Sequence, residues 1–228
     1  MVLLGALTNG VAILIGSLLG LFFGKLIPEK MNTLLMQGLG LCVMYVGISG
    51  SLVGENTMVT ILSIVIGGII GQAIDIDDRL NRFGNLILGR FKKDNSISSV
   101  AQGFVNTTIF VCVGAMAIVG SMQSGLSGNH EILFAKSLID GIVALVMAST
   151  MGIGVCFAAG AIFVYEAVLT LSASAISGYL TTSVVNEMTC VGSLLIIGIG
   201  LNMLKVTDIK VSNFLLAPFV PIVLGMFF

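Results

Sequence analysis

The sequence predicts an all-α integral membrane protein with about eight transmembrane helices, one cytoplasmic amphipathic helix and the echo of an inverted repeat. Composition is the first ground. Hydrophobic residues make up 57% of the chain and charged residues 9%, with mean hydropathy +1.12. A soluble domain carries roughly 25% charged residues to clothe its core. Ten Lys+Arg and eleven Asp+Glu cannot cover a globule of 228 residues. A secreted enzyme, a nucleic-acid binder and a disordered regulator are excluded at this step. The second ground is the length of the apolar runs, and the third is where the basic residues fall.

A crossing helix needs about 20 mostly apolar residues. Such runs lie near 3–24, 33–53, 57–74, 104–122, 133–151, 156–178, 184–204 and 213–228. The first has no basic stretch before it and exceeds a signal h-region in length, so it is expected to be a permanent span. The stretch 133–178 reads as one long helix, two helices, or a helix with a re-entrant piece; Gly152 and Gly154 offer a turn near its middle. Charge decides among these. Lys25 and Lys30 follow the first span, Arg79, Arg82, Arg90, Lys92 and Lys93 the third, and Lys205 and Lys210 the seventh. The positive-inside rule puts all three groups in the cytoplasm, which requires an even number of crossings between them. Two spans within 133–178 satisfy that requirement. Both termini are then outside, and only Lys136 of the ten basic residues departs. Residues 1–228 read as one transmembrane domain, with 75–99 as a cytoplasmic loop within it.

That loop has its own pattern. Leu80, Phe83, Ile87 and Phe91 recur at helical spacing while Arg79, Arg82, Arg90 and Lys93 take other faces. An amphipathic helix lying in the headgroup region follows.

Glycine supplies 29 residues, several at every fourth position: Gly16, Gly20 and Gly24; Gly50 and Gly54; Gly67 and Gly71. Small-residue faces let helices approach closely. They serve packing within the chain or a homo-oligomer interface, and the first is favoured. Cys42, Cys112, Cys156 and Cys190 sit in apolar runs without metal-ligand spacing, and His130 is the single histidine. No cofactor and no metal is expected.

Val113-Gly114 is followed by Ile118 and Gly120, and Val191-Gly192 by Ile196 and Gly198, with a looser version in Gly40, Gly47 and Gly50. Spans two and seven run in opposite directions in this topology, as an inverted repeat requires. The strings Gly114-Ala115-Met116-Ala117-Ile118-Val119-Gly120-Ser121, Lys136-Ser137 with Asp140-Gly141, Glu187-Met188-Thr189 and Gly198-Ile199-Gly200-Leu201-Asn202 resemble a bacterial family catalogued as domain of unknown function 554. The resemblance covers the whole chain. It implies a polytopic inner-membrane protein suspected of transport, without a settled substrate or mechanism. The family pattern has Gln after the Tyr where this chain has Tyr165-Glu166, which implies that a carboxylate there is dispensable.

Lys136, Asp140, Glu166 and Glu187 fall inside or at the edge of spans, where a central charge costs roughly 2.5–3.5 kcal/mol and pairs or lines a cavity. Lys136 and Asp140 lie one helical turn apart and can pair; the pair is a staple or part of a permeation path. Glu166 serves proton coupling or a hydrogen bond within the bundle. Glu187 completes a helix start or binds a cation or substrate, with Thr189 and Asn202 supplying neutral oxygens. Asn106-Thr107-Thr108 and Ser172, Ser174 and Ser177 read as the wall of a hydrated path, and Asn9 before Gly10 as a local break.

A transporter of a small solute or ion, proton- or cation-coupled and working by alternating access, accounts for most of these features. Its partners are the lipid bilayer and the unknown solute, not nucleic acid. The alternative is a non-transporting scaffold or sensor acting through the 75–99 helix. An enzyme is not expected: Ser137 beside Lys136 and Asp140 is the only candidate constellation, and neighbours on a helix point about 100° apart.

Overall fold

The computed structural model describes residues 2–24, 28–79, 82, 97–112 and 115–225. Among them, all regular structure is helical. The order is α1 (Leu4–Gly24), α2 (Glu29–Ser51), α3 (Thr57–Ile74), α4 (Ile97–Cys112), α5 (Ala115–Ser127), α6 (Glu131–Met151), α7 (Gly154–Ile176) and α8 (Thr182–Met203). Two 3-10 turns, Val211–Phe214 and Ala217–Phe219, and the short α9 (Val220–Leu224) follow. By length and composition five of the described helices can cross a membrane, α1, α3, α6, α7 and α8, or six if α4 and α5, bent by 63°, form one broken span. The protein is an all-α membrane protein.

Local chemistry sets the helix ends. Asn56 caps α3 by accepting the backbone N–H of Met58 (3.1 Å) and Val59 (3.4 Å), and Thr181 caps α8 through Val184 N–H (3.3 Å). The stretch 133–178 is two helices. Its break is Gly152 at φ 79, a left-handed geometry that glycine adopts without a Cβ penalty. The apolar run 213–228, expected as a single helix, is interrupted through its described part. Pro218 and Pro221 bring no N–H to a helical ladder, and the chain winds through 3-10 turns instead. The amphipathic helix expected at 75–99 falls mostly outside the described residues. Its described start, residues 76–79, is helical, and Arg82 pairs with Asp78 at 2.7 Å. The Val113-Gly114 half of the internal echo also lies outside them.

Helix pairing follows the glycines. α1 runs parallel to α6, with Gly5 over Leu133, Gly16 over Gly141, Gly20 over Leu145 and Gly24 over Ser149. A Cβ at Gly16 would land on the carbonyl oxygen of Gly141. α2 runs antiparallel to α8, with Gly47 and Gly50 against Ser193 and Gly54 against Cys190. α3 meets the C-terminal segment in the same antiparallel sense through Gly67 on Ala217 and Gly71 on Asn213. All three glycine faces are therefore covered by the chain's own backbone and side chains.

α7 packs against α1, α4 and α5. Ile13, Val43, Ile109, Met147, Ile162 and Ile199 are fully or almost fully buried where these pairs converge. One pole of the bundle gathers Asp77, Thr150, Asn202, Lys205 and Lys210. The opposite pole holds the α2–α3 connection and the starts of α6 and α8.

Candidate functional site

A four-residue polar cluster lies between α1, α6 and α7. Asn9 and Glu166 are 0% exposed, Lys136 and Asp140 5%. Spacing along α6 brings Lys136 and Asp140 to one face, and the ammonium donates to Asp140 Oδ2. Asn9 reaches in from α1. Its Nδ2 donates to Asp140 Oδ2 at 2.9 Å and to Glu166 Oε1 at 2.6 Å. Lys136 Nζ stands 3.6 Å from Glu166 Oε1. One ammonium and one carboxamide thus serve two carboxyl groups brought together from different helices.

The sequence marks Asn9, before Gly10, as a break in the first span. α1 is continuous through Gly10, and Asn9 is instead the bridging donor of the cluster. Closeness of the helices makes this reach possible: Gly10 faces Ala159 and Phe163 of α7, and Gly16 faces Gly141 of α6. A single Asn in an apolar helix was the available signal, but its partners are 131 and 157 residues away.

The other expected residues lie elsewhere. Glu187 lies in α8 beyond its first turn, which carries no acid, so it does not cap its own helix. It holds the start of α3 instead. Oε1 accepts the backbone N–H of Glu55 (2.6 Å) and Asn56 (2.7 Å), and Oε2 accepts the Thr60 hydroxyl (3.1 Å). A carboxylate there also complements the positive end of the α3 dipole. Hydrogen bonds to a charged group contribute about 1.5–3 kcal/mol. Glu187→Gln, which weakens them and turns an amide N–H toward one of these donors, is expected to lower unfolding stability by about that amount. Thermal unfolding in detergent measures it, and an unchanged midpoint would contradict this role.

Thr189 donates to Val185 O at 2.7 Å within its own helix. Asn202 clamps the loop after α8: its Nδ2 donates to Ile209 O (2.7 Å), and its Oδ1 accepts from the Thr207 hydroxyl (2.8 Å) and Ile209 N–H (2.9 Å). Asn202 and Asn106 both line a cavity of about 410 Å³ at the pole carrying Lys205 and Lys210, together with Gln102 and Asp208. Thr107 turns away from it and donates to Met147 Sδ at 3.3 Å. In α7, Ser174 is exposed and Ser172 bonds back to Val168 O, so these serines do not form a polar wall. Ser137 bonds back to Leu133 O (2.7 Å) rather than toward the carboxylates.

A second, apolar cavity of about 190 Å³ lies between Thr108, Cys112, Tyr165 and Phe219. It brings an apolar space to the residue preceding Glu166.

Comparison with known proteins adds the following. The family model described as "Protein of unknown function (DUF554)" matches residues 4–226. The chain is 31% identical over 221 residues to the uncharacterized membrane protein YdfK of Bacillus subtilis (strain 168), covering 95% of this chain and 93% of that one. It is 26% identical over 216 residues to the uncharacterized protein YqgA of Escherichia coli (strain K12), covering 93% and 92%. No solved structure matches it.

Proposed function

This chain belongs to the DUF554 family of proteins of unknown function, and we propose that it transports a small solute or ion, coupled to protons or another cation. The observation that carries this reading is the buried cluster of Asn9, Lys136, Asp140 and Glu166, which gathers three ionisable groups inside the bundle. Ionisable groups at membrane depth are costly, and those retained there typically mark ion or proton pathways. With every group ionised the cluster holds two negative charges and one positive. The surplus is what one proton, or one monovalent cation, neutralises.

The approach to the cluster supports the same reading. The 410 Å³ cavity opens at the basic pole and contains Asn106 and Asn202. From Asp140 to Met151 on the cavity wall is about 16 Å along α6, at 1.5 Å per residue. Met147, with Ile109, Val155 and Ile162, fills that interval with apolar side chains. A polar entrance, an apolar barrier and a buried charged site suit alternating access better than an open pore. We assign the basic pole to the cytoplasmic side of a bacterial inner membrane, as the positive-inside rule requires.

The test is the melting temperature of the purified protein against a panel of ions, amino acids and organic acids, repeated with Asp140→Asn. A transported ligand is expected to raise the midpoint of the parent, by an amount set by its concentration relative to Kd, and to leave Asp140→Asn unmoved. If no ligand shifts the parent and proteoliposomes show no gradient-driven uptake, the transport reading fails.

A further inference from the structure

We infer that Glu166 is the proton-carrying group of the cluster, and that it holds its proton in a carboxylic acid–carboxamide pair with Asn9 while Asp140 remains the counter-ion of Lys136. The inference rests on the transport reading only for its purpose; the pairing itself rests on hydrogen-bond accounting.

A carboxamide has two N–H donors and one acceptor oxygen, and an ionised carboxylate has acceptors alone. Both donors of Asn9 are spent, one on Asp140 Oδ2 and one on Glu166 Oε1. The Lys136 ammonium is engaged at Asp140 Oδ2, and its 3.6 Å separation from Glu166 Oε1 is beyond a hydrogen bond. Two buried oxygens in the cluster then have no donor among the described residues, Asn9 Oδ1 and Glu166 Oε2. A buried acceptor left without a donor keeps the full cost of its lost hydration.

These orphans belong to two groups already joined by the 2.6 Å Nδ2–Oε1 bond. A single hydrogen on Oε2 turns that oxygen into a donor, and the acceptor it lacks is Asn9 Oδ1. The amide N–H to Oε1 and the acid O–H to Oδ1 are the two arms of an acid–amide ring. One proton resolves both deficits.

The other titratable or charged neighbours fit this assignment. α1 contributes neutral Asn9, α6 contributes Lys136 and Asp140, α4 contributes the Cys112 thiol, and α7 itself carries Tyr165. Asp140 already has the ammonium and the amide, so it has donors for its charge. A metal cation at Glu166 would face the Lys136 ammonium a few ångströms away, whereas a proton adds no second positive centre. Release breaks the Oε2–H bond heterolytically. The electron pair stays on Oε2, the proton passes to water or to the solute, and Lys136 is the group near enough to turn toward the new anion.

Infrared spectroscopy of the full chain in lipid tests the pairing. The wild type is expected to show the carbonyl band of a buried carboxylic acid, slow to shift in D2O. Glu166→Gln should remove it, and Asn9→Leu should move it by taking away the hydrogen-bonded amide. Isotope-labelled glutamate in the wild type identifies the band without a substitution, should Glu166→Gln fail to fold. Absence of such a band, a band kept in Glu166→Gln, or a band that isotope-labelled glutamate does not shift, would overturn the inference. A Glu166 band in a protein without flux leaves the proton site standing and removes the transport reading; flux without the band does the reverse.

Discussion

Asp140→Asn and Glu166→Gln introduced together are expected to lower unfolding stability by about 3–5 kcal/mol, and adding Lys136→Met to recover most of that loss. Breaking a buried ion pair leaves an uncompensated charge, whereas replacing all of its members with neutral groups is often close to neutral. Lys136 is 5% exposed, and its acidic partners are Asp140 and Glu166. In the single variant Asp140→Asn, Glu166 stands 3.6 Å from the ammonium and can take over as its counter-ion, so a smaller loss is expected. The order of stability is therefore parent, single, then double variant, with the triple variant above the double. Denaturant titration in detergent reads this order. A double variant as stable as the single one, or a triple variant that recovers nothing, would show that the charges are not coupled as described.

The second large effect is steric. Gly16→Ala should destabilise by about 1–3 kcal/mol, the range for overpacking a close-packed contact. The added Cβ would meet the Gly141 carbonyl, which is backbone inside α6 and cannot swing aside. Gly160 is the matched control: it also lies within a helix, α7, but a Cβ there meets nothing within 4 Å. Gly160→Ala should cost nothing, since alanine is the better helix former. Equal losses at the two sites would mean that the α1–α6 approach is looser than described. Because this approach also carries Asn9 toward Asp140, Gly16→Ala should disturb the Asn9–Asp140 contact along with stability.

How far the sequence revealed this arrangement depended on the range of each interaction. The Lys136–Asp140 pair was legible because both partners lie on one helix, four residues apart, where geometry alone brings them together. The break between α6 and α7 was legible because Gly152 and Gly154 advertise a turn. Glu187 reads in the sequence as a helix start or a ligand, but its donors come from the α2–α3 connection, and α8 gives no sign of them. Asn9 was noticed and misread for the same reason. Its role depends on two later helices, and a helix-breaking signal and a bridging amide look alike in one dimension. Membership in the family and the membrane fold were plain from composition and from strings such as Lys136-Ser137 and Asp140-Gly141. The interrupted C-terminal segment was missed because hydropathy counts Pro218 and Pro221 as tolerable, while the backbone loses a donor at each.

The parallel seating of α1 on α6 also sets an order of events during synthesis. Asn9 enters the bilayer early, but its acceptors are 131 and 157 residues further along the chain. At 5–20 residues per second the ribosome needs roughly 7–30 s to deliver them. For that interval the first helix waits with an unsatisfied carboxamide and an uncovered glycine stripe. A nascent chain arrested before α6 should therefore remain bound to the insertion machinery through α1, and should leave it once α7 has emerged and closed over Asn9.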